Sequence, residues 1–172
     1  ILHQRLTPTG LTLQGLASSD RSDELEFHFP VRGAPNLIET AKQFGYLTDL
    51  ESAPLQLEGM MTGSIDLLCR HQGRYYVIDY KTNHLGSATS DYEGLALAAS
   101  IRHHQYDFQY LLYCVAVKKI LALRQPHAAF EDLFGGVAYL FLRGMTGGPD
   151  AGVYFDPVPI ALIEALEASL NP

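Results

Sequence analysis

Residues 63–82 constrain this chain more than any other part of its sequence. Two runs rich in β-branched and aromatic residues, 63–70 and 75–82, flank the short polar segment 71–74, which contains Gly73. Two apolar runs joined by a short polar segment with a glycine are typical of a β-hairpin. The chain is therefore predicted to build its fold around two antiparallel strands.

Each predicted strand carries one carboxylate inside an otherwise apolar run, Asp66 on the first and Asp79 on the second. Strand interiors disfavour Asp, and burying a lone carboxylate is costly unless it is paired or binds a cation. The strand period of two places Asp79 and Lys81 on one face, with Cα atoms about 6.6 Å apart. Two acids and a lysine on one face could hold a hard divalent cation beside an ammonium group. The alternative is that Asp66 ends its strand and Asp79 and Lys81 are an ordinary surface pair, but the acid on the partner strand favours a site.

Three segments, 63–66, 78–82 and 109–113, resemble in this order the signature motifs of a known family. The family is the RecB-type nucleases of the PD-(D/E)XK superfamily, which form the C-terminal domains of exodeoxyribonuclease V beta subunits. Further residues that resemble these domains are 74–76, 106–110 and 134–144. The resemblance covers most of the chain and is strongest over residues 58–144. One motif alone would say little, whereas three in order are specific.

The predicted strands and helices give an α/β domain with a central mixed β-sheet flanked by helices, and the resemblance implies the restriction-endonuclease-like core of this superfamily. It also implies Mg²⁺-dependent hydrolysis of DNA phosphodiester bonds, with Mn²⁺ as a substitute ion and Ca²⁺ as an inhibitor. Asp66, Asp79 and the backbone carbonyl of Tyr80 would be the metal ligands. Lys81 would orient the attacking water and stabilise the developing negative charge.

Gln109 and Tyr113 stand four residues apart on a predicted helix and share one strip of its surface. Taken alone, they would be boundary residues with satisfied hydrogen bonds. The resemblance implies instead that Gln109 aligns the lysine or the substrate and that Tyr113 contacts the DNA backbone. RecB-type domains also take a histidine ligand from a helix further upstream. His3 stands in a different context, so the chain is expected to hold an incomplete metal site.

The resemblance further implies that this chain is a piece of a longer helicase–nuclease, which acts in double-strand break repair and recombination. Its partners would be DNA, RecC-like and RecD-like subunits and a RecA-type recombinase, in the bacterial cytoplasm at the nucleoid. The sequence contains no Gly-x-x-x-x-Gly-Lys-Ser/Thr motif, so ATP is expected only in motor domains outside it. The longest apolar runs are too short for a membrane span.

Composition indicates a single domain over residues 1–172, with its core at about 25–144. The chain has 172 residues, of which 47% are hydrophobic, which is enough for a substantial core. Its net charge of −7 is unusual for a DNA-binding protein, so we expect other domains to deliver the DNA. Cys69 and Cys114 lie in apolar runs and are predicted to be buried thiols rather than a disulfide or a zinc site.

The remaining elements follow from periodicity and from helix and strand termination signals. The chain begins with a loop over 6–23, a strand over 25–29 ended by Pro30, and a helix over 36–44 capped by Asn36. After the hairpin come a helix over 92–101 with Asp91 as N-cap and a helix over about 106–123 with Phe108, Leu111, Leu112 and Val115 as its core face. The chain ends with a strand over 137–142, a loop over 146–150, and a terminal helix with Ile160, Ile163, Leu166 and Leu170 on one stripe. Glu26 and His28 are interpreted as an exposed polar face rather than as a second metal-binding pair.

A second class of function is compatible with the same fold, namely a non-catalytic nuclease-like module that docks DNA or protein partners. Loss of catalysis ordinarily removes the acids or the lysine first, and Asp66, Asp79 and Lys81 are all present. The sequence therefore favours the nuclease. A hydrolase of another phosphoester would differ only in its substrate, and the residues alone do not exclude it.

Overall fold

The computed structural model describes residues 1–146, 148 and 151–170. Three residues of the predicted 146–150 loop, Gly147, Pro149 and Asp150, lie outside this range. The strands are β1 (Arg21–Ala34), β2 (Leu55–His71), β3 (Arg74–Lys81), β4 (Phe134–Phe141) and β5 (Val153–Asp156). The helices are α1 (Leu37–Gln43), α2 (Gly94–His103), α3 (Tyr106–Arg124), α4 (Phe130–Leu133) and α5 (Ile160–Leu170), with short 3₁₀ turns at Ser18–Asp20 and Thr89–Tyr92.

The five strands form one mixed sheet in the order β1-β2-β3-β4-β5. Neighbouring strands are antiparallel except for β3 and β4, which are parallel and are joined by the crossover that contains α2, α3 and α4. A parallel pair needs such a long connection, whereas an antiparallel pair can be joined by a tight turn. The predicted α/β fold with a central mixed sheet is confirmed.

The predicted hairpin is also confirmed, since β2 and β3 pair from Leu67 with Ile78 to His71 with Arg74. Its two-residue loop, Gln72-Gly73, has positive φ at both positions, 50° and 82°. Two consecutive residues with positive φ are the pattern of the tight hairpin turns that match the strand twist. Gly73 adopts this conformation without steric cost, which explains its place in the turn.

Each face of the sheet packs against a different part of the chain. The buried hydrophobic side chains of the helices join one cluster with Val77, Val137 and Tyr139. The opposite face packs against the N-terminal segment, where Leu6 and Leu11 are almost fully buried. The prediction of a polar loop over 6–23 therefore missed two core residues, because isolated leucines in a non-periodic segment give no strand or helix signal.

The predicted end of the first strand at Pro30 is wrong, because β1 continues to Ala34 and Pro30 pairs with Met60. Proline lacks a backbone N–H and is confined to edge strands, and β1 is an edge of this sheet. Glu26 and His28 are exposed and alternate with the buried Phe27 and Phe29, as predicted.

Several other boundaries differ from the sequence prediction. The helix expected after Asp91 begins at Gly94. Asp91 instead lies in the preceding 3₁₀ turn, where its carboxylate accepts a hydrogen bond from the backbone N–H of Ala88, the residue before that turn. Strand β5 was not predicted, because four residues are too few to show a period. Asn36 precedes α1 but makes no side-chain capping bond.

The core face of α3 is wider than predicted. Leu111 and Val115 are buried, but Phe108 and Leu112 are only half-buried. The fully buried residues of the helix include Tyr110, Cys114, Val117 and Leu121. Three residues of the predicted stripe of α5, Ile163, Leu166 and Leu170, are buried, Ile160 is half-buried against the same core, and Leu162 is buried as well. Both cysteines are buried and free, as expected. Every helix in the described part of the chain is too short or too polar to cross a lipid bilayer.

Candidate active site

The candidate site lies where β2 and β3 separate. Their pairing ends at Leu67 with Ile78, whereas β3 continues beside β4 until Lys81 pairs with Phe141. The part of β2 that precedes Leu67 pairs with β1 but not with β3. A fork therefore opens in the sheet between the two hairpin strands. The two acids predicted from the sequence stand on its two arms.

Asp66 stands at an irregular position in β2. Ile65 and Leu67 belong to the clusters on opposite sheet faces, although alternate residues of a regular strand share a face. On β1, Glu24 lies opposite this position and has a positive φ of 49°. The half-buried Asp66 carboxylate accepts a hydrogen bond of 2.9 Å from the backbone N–H of Tyr80. The side chain thus crosses the fork and binds the other arm.

Asp79 and Lys81 share the helix-covered face of β3, as the strand period predicted. Asp79 is only 3% exposed, and the Lys81 ammonium nitrogen lies 2.7 Å from its Oδ2 atom. The contact is a salt bridge between two side chains that are both largely removed from solvent. Burial raises the pKa of Asp79, the charge of Asp66 raises it further, and Lys81 opposes both effects.

Gln109 of α3 links the lysine to two tyrosines. Its Oε1 atom accepts hydrogen bonds from the Lys81 ammonium at 3.0 Å and from the Tyr139 hydroxyl at 2.8 Å. Its Nε2 atom donates to the Tyr113 hydroxyl at 2.9 Å. Because both ends of the amide are engaged, its orientation is determined, with the oxygen facing the ammonium. The predicted proximity of Gln109 to Lys81 and to Tyr113 is confirmed.

Tyr113 is 8% exposed and packs edge-on against Phe27, with ring centroids 5.9 Å apart. Burial and the charges of Asp79 and Asp66 raise its pKa to about 12, so its hydroxyl keeps its proton. The contact of Tyr113 with the DNA backbone stays a prediction. Tyr139 was missed at the sequence level, where its only signal was a place inside an apolar strand.

A divalent cation fits the donor set at the fork. The N–H of Tyr80 points at Asp66, and the carbonyl of the same residue points to the same side of the strand. The buried Oδ2 atom of Asp79 already lies beside the Lys81 ammonium and could also bind a cation. Proteins hold Mg²⁺ with one or two carboxylates and several waters. The described residues contain no group of three or more acidic, histidine or cysteine side chains placed to bind a metal, and His3 is exposed.

Comparison with known proteins gives one matching family model. The model describes the PD-(D/E)XK nuclease superfamily, and it matches residues 19–169. This match includes all five strands of the sheet and every residue of the candidate site. Nucleases of this superfamily generally use divalent metal ions.

Curated relatives carry the name RecBCD enzyme subunit RecB. The protein from Haemophilus influenzae is 40% identical over 161 residues, which cover 92% of this chain and 13% of the relative. The Escherichia coli protein is 40% identical over 161 residues, covering 90% and 14%. The protein from Mycobacterium tuberculosis strain H37Rv is 36% identical over 200 residues, covering 96% and 18%. The chain thus spans less than a fifth of the length of these relatives.

Proposed function

Because the chain belongs to the PD-(D/E)XK nuclease superfamily, we propose that it is a Mg²⁺-dependent nuclease domain that hydrolyses DNA phosphodiester bonds in a RecB-type helicase–nuclease. The observation that carries the proposal is the joint arrangement of Asp66, Asp79, Lys81 and Gln109 at the fork of the sheet. The alternative reading, a surface pair with no role in catalysis, does not explain why Asp79 is buried.

The metal would be held by Asp66, Asp79 and the carbonyl of Tyr80. When bound, such an ion lowers the pKa of a coordinated water and offsets negative charge at the phosphate. The two carboxylates meet the preference of Mg²⁺ for oxygen ligands. A third side-chain ligand would come from outside the described residues, so the isolated chain is expected to bind the ion weakly.

Lys81 would supply a positive charge at the phosphate in addition to that of the metal ion. Its ammonium is held beside Asp79 by Gln109, and an ordered cation of this kind stabilises charge that develops in the transition state. Such a group costs no reorganisation when the reaction occurs. Gln109 acts through Lys81 and is therefore a positioning residue. Tyr113 holds the amide of Gln109 and presents its hydroxyl to the substrate backbone.

The rival function is a docking module that has kept the fold without the chemistry. In such a module the buried pair of Asp79 and Lys81 would serve no chemistry, although burying a carboxylate carries a desolvation cost that the pair only partly offsets. A cation bound at this carboxylate would offset that cost. The retention of this buried acid beside Lys81 and Gln109 thus favours a working nuclease.

The relatives are named as subunits of the RecBCD enzyme. By analogy, we place the chain in a complex with RecC-like and RecD-like subunits in the bacterial cytoplasm, acting in double-strand break repair and helping to load a RecA-type recombinase. ATP would be used by motor domains elsewhere in the full-length protein. The net charge of −7 supports delivery of the DNA by those other parts, because phosphate contacts need basic residues.

The direct test is digestion of linear and circular DNA by the purified chain at low salt, with Mg²⁺, with Mn²⁺ and with a chelator. We expect slow, metal-dependent cleavage that is absent in Asp79→Ala, while the thermal unfolding of the variant shows an intact fold. Cleavage by Asp79→Ala at the parent rate would exclude Asp79 as a ligand. DNA binding by the parent without cleavage, at any metal concentration and in a longer chain that includes upstream residues, would support the docking module.

A further inference from the structure

Tyr106, the first residue of α3, contacts the lysine of the candidate site. The ammonium nitrogen of Lys81 lies 4.2 Å from the centroid of the Tyr106 ring and 4.9 Å from that of Tyr139. A cation this close to an aromatic face is attracted by the ring's electrostatic quadrupole. The Lys81 side chain is only 12% exposed, and removal from water strengthens such contacts.

The Tyr106 ring is itself held in place from two sides. Its hydroxyl donates a hydrogen bond of 3.0 Å to Oδ1 of Asn83, two residues beyond Lys81. The ring of His104 stacks on it, with centroids 5.2 Å apart and an interplanar angle of 12°. Gln105, which precedes it, has a φ of 56°, in the left-handed region that residues with a side chain rarely adopt. Residues in this region are kept where the surrounding structure requires them, often at functional sites.

The partners of the Lys81 ammonium are of two kinds. Asp79 attracts it by charge, whereas Gln109, Tyr106 and Tyr139 are uncharged. A divalent cation at Asp79 would neutralise that carboxylate and repel the ammonium directly. The uncharged partners do not lose their attraction for the lysine in this way. They are therefore the groups that would keep the ammonium in place when metal is bound.

We propose that Tyr106, anchored by Asn83 and acting together with Tyr139, is a positioning residue that keeps the Lys81 ammonium at the reacting phosphate while Asp79 binds metal. This inference rests on the nuclease function proposed above. It adds a residue that contacts Lys81 through its ring face rather than through a hydrogen bond.

The first test compares the kinetics of Tyr106→Leu and Tyr106→Phe with the parent. Loss of the ring face should lower kcat about tenfold, as expected for a desolvated cation–π contact, and should leave the KM for DNA and the Kd for Mn²⁺ unchanged. Tyr106→Phe keeps the face and should retain most of the parent kcat. The control is Tyr75→Leu, which alters another half-buried tyrosine about 20 Å along β3 from Lys81.

The second test needs no activity and uses the NMR chemical shifts of the Lys81 ε-methylene protons, which an aromatic face moves upfield. In the parent and in Tyr106→Phe these shifts should persist when Mg²⁺ is added. In Tyr106→Leu the upfield shift that Tyr139 still causes should persist without Mg²⁺ and should be lost when Mg²⁺ is added. If Tyr106→Leu does not fold, Asn83→Ala offers the same comparison, because it releases the ring without removing it, and should lower kcat by a smaller factor.

The outcomes separate the two proposals. If neither the parent nor a longer chain that includes upstream residues cuts DNA, the nuclease function fails, and the NMR comparison still decides whether Tyr106 retains Lys81 in the presence of Mg²⁺. If the parent cuts DNA and Tyr106→Leu has the same kcat, the positioning role is overturned. An equal loss in Tyr106→Phe and Tyr106→Leu would also overturn it, because the ring face would then not be the determinant.

Discussion

The Asp66 carboxylate accepts a hydrogen bond from the backbone N–H of Tyr80, just beyond the last paired residues of β2 and β3. The side chain thus takes the place of the next backbone partner in the ladder. The bond satisfies an N–H that would otherwise face the open fork, and it holds the carboxylate beside the carbonyl of Tyr80. One residue thereby supports the fold and would supply an oxygen to the metal of the proposed site.

These two roles of Asp66 can be separated by substitution. Asp66→Ala removes the acceptor of the Tyr80 N–H and should lower the free energy of unfolding by about 1 kcal/mol, whereas Asp66→Asn keeps an oxygen and should cost less. Both variants should lose metal-dependent cleavage by at least about a hundredfold. Urea unfolding and digestion assays measure the two effects. Full cleavage by Asp66→Asn would show that its negative charge is not needed.

The pH dependence of the free energy of unfolding should reveal the raised pKa of the buried Asp79. Its pKa is raised above its ordinary value of 3.8, so the folded state holds the proton more tightly than the unfolded state does. This contribution is present at low pH and is lost as pH rises through the folded-state pKa. The free energy of unfolding of the parent, minus that of Asp79→Asn, should therefore decrease as pH is raised from about 4 towards neutrality.

Asp23→Asn is a suitable control for that experiment. The hydrogen bond from Arg21 lowers the pKa of Asp23, so its contribution to stability has the opposite sign and is lost as pH falls. Asp23 is well exposed, and its effect should be small. A difference between parent and Asp79→Asn that does not change with pH would contradict the raised pKa of Asp79.

Lys81→Met should separate chemistry from metal binding. An ammonium cannot ligate a cation, and in this structure it lies 2.7 Å from the Asp79 oxygen that would. The variant should lose about a hundredfold or more in kcat, with Mn²⁺ affinity unchanged or higher because a competing charge is gone. Calorimetric titration measures the affinity, and Lys42→Met, whose ammonium contacts Ser52, is the control. Much weaker Mn²⁺ binding would mean that Lys81 shapes the site instead.

Gln109→Leu should affect both activity and stability. It removes the acceptor shared by Lys81 and the buried Tyr139 hydroxyl, and a buried donor without a partner costs about 1–3 kcal/mol. The kcat should fall because the ammonium loses its orientation.

Tyr113→Phe removes only the acceptor of the Gln109 amide nitrogen, so it should lower kcat less than Gln109→Leu does and should raise the KM for DNA. An unchanged KM would exclude a DNA contact by the Tyr113 hydroxyl.

The sequence was sufficient wherever neighbours in the chain are also neighbours in space. Asp79 and Lys81 share a face because strands have a period of two, and Gln109 meets Tyr113 because four residues make about one helical turn. The Gln72–Gly73 turn was readable for the same reason. Pro30 shows where this local reasoning fails, because a proline ends a central strand but is tolerated within a strand at the edge of a sheet.

The tertiary structure alone decided which of these local faces meet. Lys81 reaches Gln109 across 28 residues and lies against the ring of Tyr106, and Asp66 binds Tyr80 because two strands separate at that point. No period in the sequence encodes these contacts. They depend on how α3 and β4 pack against β3, and that packing is set by the apolar area buried over the whole core rather than by any single segment.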